Sequence, residues 1–287
     1  MTGHTPDELM IVCMAREVQN GDLMAQGLTT PMAIVAYHLA RATHAPQATI
    51  MQLAGNILIY TIEPPPVSIL YNEFRAMENA VHVSTQTEVY ETLFKRARSI
   101  IEFFRPAQVD KFGNTNNSLI RTSRSRLRLP GGFGIPDVSP LYPRSVYYCP
   151  RHERRVFVDR VDYVGGLGIT AAMASGERRV IHIISEFGVF RIEPEKGRMS
   201  ISSIHPGVTL ETIKENTGFE ILIPEEITET KPPTDLELRL IREKIDPLNI
   251  RHLEMLSGEE RTRALLELLD KEVALYKTTP APEKESD

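Results

Sequence analysis

Apolar and polar positions alternate along this chain in two rhythms, and the rhythm changes part-way. Thr5-Pro6-Asp7-Glu8 opens the first periodic stretch. Thr5 is placed to cap a helix, Pro6 suits the first helical position and Glu8 completes a capping box. The spacing predicts a helix to Val18, ended by Asn20-Gly21. Residues 23–28 read as a buried strand and residues 27–31 as a turn. Pro31 starts a second helix through about Ala42, and residues 49–53 read as another short strand. A strand, a helix and a strand in succession predict a parallel sheet.

Residues 57–62 are apolar and β-prone, and Pro64-Pro65-Pro66 breaks the pattern. A helix is expected over residues 89–98 and a buried strand over residues 99–104, SIIEFF. A loop-rich stretch then spans residues 105–140. Loops of such length inside a domain are uncommon and usually functional. Beyond Arg144 the texture turns to strands, over residues 146–149, 156–164, 180–185, 189–192 and 199–204. A helix near residues 210–215 and a strand at 219–223 follow. Thr234 to Glu237 is a second capping box, whose helix ends before Pro247. Ser257 to Glu260 is a third, opening a helix with Leu265, Leu266, Leu268 and Leu269. That helix is expected to pack on its own domain or to contact another subunit. The expected organisation is one α/β domain over residues 1–250, a C-terminal helix over 251–277 and a disordered tail over 278–287.

Composition narrows the function class. With 287 residues the chain can bury a sizeable core. Its charge of −5 gives no nucleic-acid footprint. It holds no apolar run of membrane-spanning length and no secretory signal, so a cytoplasmic protein is expected. Cys13 and Cys149 stand far apart, giving neither a disulfide framework nor a metal site. His152 and His182 fall in or near strands, where structural roles are the default.

Two polar loops carry candidate chemistry. The first, residues 106–117, follows a hydrophobic strand directly, and ligands of open α/β sheets bind beyond strand ends. Gln108, Asp110, Asn114 and Asn116 present amides and carboxylates there. The same residues also suit an Asp/Asn/Gly turn cluster. The second is Leu129-Pro130-Gly131-Gly132-Phe133-Gly134. Its glycines suit either an oxyanion-binding loop or an ordinary turn. Arg121, Arg124, Arg126 and Arg128 precede it, placed to hold phosphates or to form a solvated basic turn.

Taken in order, several pieces resemble the beta subunit of glutaconate CoA-transferase and related family I proteins. They are AQVDKFGNTN (residues 107–116), the GGFG loop (131–134), RHERRVFVDRVDYV (151–164), ENTGFE (215–220) and LRLIREKIDP (238–247). The resemblance implies an open, largely parallel α/β sheet of the CoA-transferase type with flanking helices. It implies coenzyme A thioesters as substrates, with no metal. It also implies an alpha-type partner subunit in a heterotetramer or larger assembly, with the active site between subunits. On this basis Gly55, Asn56 and Phe133 join the first loop's polar residues as CoA-binding candidates, and Gly131, Gly132 and Gly134 become oxyanion N–H donors. Two positions depart from the family. The nucleophilic glutamate that ends the second strand in transferases is Leu53 here, and a Gly-Gly pair is Arg105-Pro106. Stretches such as SEFGVF (185–190) and SSIHPGV (202–208) resemble the steroid-ring-opening hydrolases of the same family. The resulting expectation is a CoA-thioester hydrolase or lyase whose acid/base group comes from the alpha partner. A transferase with a displaced nucleophile and a non-catalytic scaffold subunit are the alternatives.

Overall fold

A computed structural model describes residues 3–27, 30–53, 58–60, 66–78, 80–169, 179–193 and 195–278. In the first part, helices and strands alternate: α1 (Pro6–Glu17), β1 (Leu23–Gln26), α2 (Pro31–Thr43), β2 (Thr49–Gln52), β3 (Leu58–Tyr60), α3 (Asn72–Glu78), β4 (His82–Val83), α4 (Gln86–Lys95) and β5 (Ile100–Phe104). Short strands β6 (Gln108–Asp110), β7 (Thr115–Asn116), β8 (Leu119–Arg121) and β9 (Arg126–Arg128) follow, then one helical turn, α5 (Ile135–Val138). The remainder supplies β10 (Arg144–Cys149), β11 (Phe157–Val158), β12 (Val180–Ser185), β13 (Gly188–Glu193), β14 (Arg198–Ile204), α6 (Leu210–Asn216), β15 (Thr228–Glu229), α7 (Asp235–Arg239) and α8 (Gly258–Thr278).

The main sheet runs β15-β14-β13-β12-β10-β5-β1-β2-β3-β4. Its centre, β12-β10-β5-β1-β2, is parallel throughout, and antiparallel pairs flank it on both sides. The parallel α/β reading of the sequence therefore describes the middle of the sheet. From β1 the chain steps one way to β2, then crosses back to place β5 on the other side of β1. This reversal opens a crevice beyond the carboxyl ends of β1 and β5, where open α/β sheets bind ligands.

Each face of the sheet has its own core. Met24, Ile50, Ile101, Phe103, Val146 and Tyr148 face α1 and α2. Leu23, Ala25, Met51, Ile100, Phe104 and Tyr147 face the other side, against Val89 and Leu93 of α4. The period-two alternation of a strand makes this division, and it places Glu102 on the second face, with Ile100 and Phe104. α1 is fastened at its start, where Arg251 lies 2.9 Å from Asp7 Oδ2 and 3.0 Å from Glu8 Oε1, and Arg242 lies 2.7 Å from Glu8 Oε1.

Four local readings change. α4 begins at Gln86 rather than Val89, because Thr85 and Glu88 form a working capping box: Glu88 Oε2 accepts the Thr85 N–H at 2.7 Å. The stretch 156–164 pairs only over β11, as its neighbours turn to meet the β6–β7 hairpin. Residues 219–223 contribute one bridge, Ser200 to Leu222, instead of a strand. α7 widens into a π-helical segment, Leu240–Ile245, before Pro247. α8 packs on its own chain through Leu268 and through Glu272, whose carboxylate accepts the N–H groups of Ile69 and Leu70 at 2.9 Å. Gly55, Asn56 and nearly all of the C-terminal tail lie outside the described residues.

Candidate active site

A cavity of about 550 Å³ occupies the crevice. Gly27 follows β1, Leu53 follows β2, and Glu102, Phe104 and Arg105 come from β5 and its exit. Gln86, Val89, Tyr90 and Leu93 of α4 form a second wall. Asn117 and residues 131–135 form a third. The lining is largely apolar, with a few convergent polar groups, the usual character of a small-molecule site.

Glu102 is the exceptional group. It is 7% exposed. Burial pushes its carboxyl pKa up to about 8, against an opposing pull from the Tyr142 hydroxyl beside it. Neither Glu102 Oε2 nor the Tyr142 hydroxyl has a hydrogen-bond partner of good geometry. Parallel register sets Glu102 beside Ala25. Its side chain reaches forward, so that Oε1 lies 3.7 Å from where a Cβ on Gly27 would stand. The bare Gly27 leaves that space open between the Glu102 carboxyl and Leu53, whose N–H bonds to Gln26 O at 2.9 Å.

The glycine loop lines the same cavity as this carboxyl. Gly131 has φ +107°, and its N–H donates to Asn117 O at 2.9 Å. The N–H groups of Gly132, Phe133 and Gly134 have no acceptor among the described residues. Phe133 holds φ +47° and is 72% exposed. A bulky residue in the left-handed region is uncommon and marks a functional constraint more often than an accident. The loop is held from behind by Asn117, whose Oδ1 accepts the Ala107 N–H at 2.6 Å and whose Nδ2 donates to Arg105 O at 3.2 Å.

Arg105 brings a cation to the same wall. Its Nε is 3.1 Å from Glu254 Oε2. Burial raises the Glu254 pKa, and Arg105, the Met32 N–H and the Tyr148 hydroxyl draw it back. Both oxygens of Glu254 are thereby engaged.

A family profile described as "Coenzyme A transferase" matches residues 8–216. The chain belongs to the coenzyme A transferase family. It is 28% identical over 252 residues to a 3-oxoadipate CoA-transferase subunit of Pseudomonas knackmussii, covering 84% of this chain and 94% of that one. It is 30% identical over 245 residues to the cholesterol ring-cleaving hydrolase IpdB subunit of Mycobacterium bovis, covering 83% and 92%. Among solved structures, the decarboxylase AibA/AibB superposes with a TM-score of 0.74 at 27% identity, over 86% of this chain and 97% of that one. Proteins with transferase, hydrolase and decarboxylase names are thus similar to this member of the coenzyme A transferase family.

Within this family member the expected site residues divide. Leu53, Gly131, Gly132, Phe133 and Gly134 line the cavity. Gln108, Asp110, Asn114 and Asn116 do not. They bond to one another and to the segment over residues 161–168. Gln108 Nε2 donates to Asp162 Oδ2 at 2.9 Å and Asn116 Nδ2 to Gln108 Oε1 at 2.7 Å. Asp110 Oδ1 accepts the N–H groups of Phe112 and Asn114 at 3.0 Å. Arg121, Arg124, Arg126 and Arg128 are exposed on the β8–β9 hairpin. His152 is buried, stacked on Phe157 with ring centroids 3.7 Å apart and bonded to Ser185 and Thr217, away from the cavity. Glu102, the Arg105 charge and Asn117 join the site only in the folded chain. The signal in the sequence for Glu102 is a lone carboxylate inside the apolar run SIIEFF. No group of three or more metal-ligating side chains occurs among the described residues. None of the described helices is long and apolar enough to cross a membrane.

Proposed function

We propose that this chain is the beta-type half of a heteromeric enzyme that cleaves acyl-CoA thioesters, as a hydrolase or lyase. The observation that carries the reading is Leu53 at the cavity, on the strand end where transferases of the family hold their nucleophilic glutamate. An alkyl side chain forms no acyl anhydride or glutamyl-CoA intermediate. The unengaged N–H groups of residues 132–134 supply what cleavage beside a thioester needs, fixed partial positive charge for an enolate or tetrahedral oxyanion. Gly131 acts as the hinge of that loop. Gln108, Asp110, Asn114 and Asn116 act as its scaffold, holding the hairpin from which Asn117 reaches the cavity. The names of the matched relatives, each one part of a multi-part enzyme, support an alpha-type partner.

The test uses the chain co-purified with its alpha-type partner. Glutaconyl-CoA, 3-oxoadipyl-CoA and succinyl-CoA are supplied together with isotopically labelled acetate and succinate, and products are read by mass spectrometry. Cleaved, hydrated or decarboxylated acyl chains without label exchange are expected. Label in a new CoA thioester overturns the reading. It would favour a transferase with a displaced carboxylate, which the presence of Glu102 in the cavity makes the one competing reading of substance.

A further inference from the structure

Other buried carboxyls of this protein are engaged by the groups around them. Glu254 takes a backbone N–H, a tyrosine hydroxyl and a guanidinium. Glu272 takes two backbone N–H groups, and Asp246 takes the N–H groups of Ile250 and Arg251. Glu102 is buried like these, yet its Oε2 is left without a partner and no cation is paired with it among the described residues. A carboxyl buried for structural reasons recovers its desolvation cost through hydrogen bonds. An unpartnered one that lines a cavity is available to something that enters the cavity.

The neighbours define what that is. Glu102 shares the cavity with Gly27 and Leu53, and the same cavity is lined by residues 132–134, whose N–H groups are unengaged. A thioester whose oxygen rests on that loop sets its α-carbon toward the strand ends. We propose that Glu102 is the proton donor and acceptor at the α-carbon of the bound acyl-CoA, a catalytic carboxyl carried by this chain on β5 and displaced from the strand end that Leu53 occupies. The proposal rests on the acyl-CoA reading above, and it moves the acid/base group from the expected partner subunit to this one. The groups facing the carboxyl are the Tyr142 hydroxyl, the Tyr37 hydroxyl across the sheet, and Arg105 and Asp137 on the cavity lining. None of them makes a hydrogen bond of good geometry to Glu102 Oε2. With its pKa up to about 8, Glu102 carries its proton at neutral pH, which makes it an acid before it is a base or nucleophile.

The bond between the α-carbon and the departing fragment breaks, and its electron pair passes to the α-carbon and spreads onto the thioester oxygen. The enolate pair then takes the proton from the Glu102 O–H, forming the new C–H bond and leaving a carboxylate. In decarboxylation the fragment leaves as carbon dioxide and Glu102 regains a proton from solvent. In hydrolysis the fragment takes hydroxide from a water, and that water's proton returns to Glu102.

The experiment measures hydrogen–deuterium exchange at the α-carbon of succinyl-CoA in D2O, by the complex with its alpha-type partner, alongside turnover of the three acyl-CoAs. Wild type is expected to exchange. E102Q, which keeps size and removes the acid, is expected to bind succinyl-CoA with unchanged affinity while exchange and turnover fall at least 100-fold. Equal exchange by E102Q and wild type overturns the role of Glu102 and leaves the acyl-CoA reading standing. A covalent CoA adduct on the Glu102 peptide also overturns it, in favour of nucleophilic transfer. A wild-type complex that neither binds succinyl-CoA nor alters any acyl-CoA overturns both readings. Should E102Q fail to assemble, the wild-type pH profile decides. The exchange begins when the Glu102 carboxylate takes the α-proton, so exchange that rises with pH and levels off above about pH 8 supports the assignment, and exchange that stays flat through that pH refutes it.

Discussion

Glu254 and Glu102 are both buried carboxyls, and the polar groups around them differ. Burial raises the pKa of both, but Arg105, Met32 and Tyr148 oppose it at Glu254, whereas only Tyr142 opposes it at Glu102. This has a consequence for stability as well as chemistry. Between the ordinary glutamate pKa of 4.5 and about 8, the folded chain keeps a proton on Glu102 that the unfolded chain has released. Stability contributed by this group is complete below the lower value and declines as pH rises, by about 1.4 kcal/mol per unit across the window. E102Q should therefore lose less stability than wild type between pH 5 and pH 8 in urea titrations of the complex; parallel losses would count against a neutral Glu102. Gly132 offers a second residue-scale test. A Cβ there would meet Pro136 Cδ at 3.5 Å and Ile135 Cβ at 3.6 Å, ordinary contacts. Gly132→Val should leave folding and subunit pairing intact while its branched side chain crowds the loop's N–H groups. A fall in kcat of about 100-fold or more is expected, the scale of losing an oxyanion donor; unaltered kcat would remove the loop from the chemistry.

At the scale of elements, α4 lines the cavity, and α3, β4 and α4 with their flanks expose apolar side chains. Phe74, Val81, Val83 and Phe94 are each more than half exposed. The inner residues of α4, Val89 and Leu93, face the core, while Gln86 and Tyr90 reach the cavity. Exposed apolar side chains on the helix that lines the candidate site, such as Phe94, offer a surface to the partner subunit. Phe94→Glu should weaken, at least tenfold, the association with the alpha-type partner, measured by sedimentation or titration calorimetry, without unfolding this chain. Unchanged association would place the partner elsewhere, for example on the exposed side of α8 at Leu266 and Leu275.

At the scale of the whole molecule, residues far apart in sequence are joined through Arg251. It pairs with Asp7, Glu8 and Asp246, and all four side chains are buried. Removing one partner from a buried ionic cluster leaves the others uncompensated. Arg251→Ala should cost roughly 3–5 kcal/mol in urea unfolding, and a loss under about 1 kcal/mol would mean that water reaches the cluster.

Much of the architecture was legible in the chain itself. The helix starts at Thr5 and Pro31, the apolar runs at β1, β2 and β5, and the change to strands after Arg144 follow from local chemistry that neighbours do not alter. The glycine loop was legible as a loop because Gly131 needs a left-handed φ. The acidic and amide residues of the first loop were legible as a cluster, but not their direction. Asp162 and the N–H of Gly168 draw them away from the cavity, and those contacts span more than 50 positions.

What the sequence by itself determined is the central strands and the longer helices, the family, the position Leu53 and the presence of a lone carboxylate in an apolar strand. Tertiary structure alone decided that β5 returns to the side of β1 opposite β2. That crossover sets Glu102 beside Gly27 and within the cavity that Leu53 lines. Strand identity is written in local periodicity, whereas strand order depends on which distant apolar faces pack together, and a side chain's partners follow from the order.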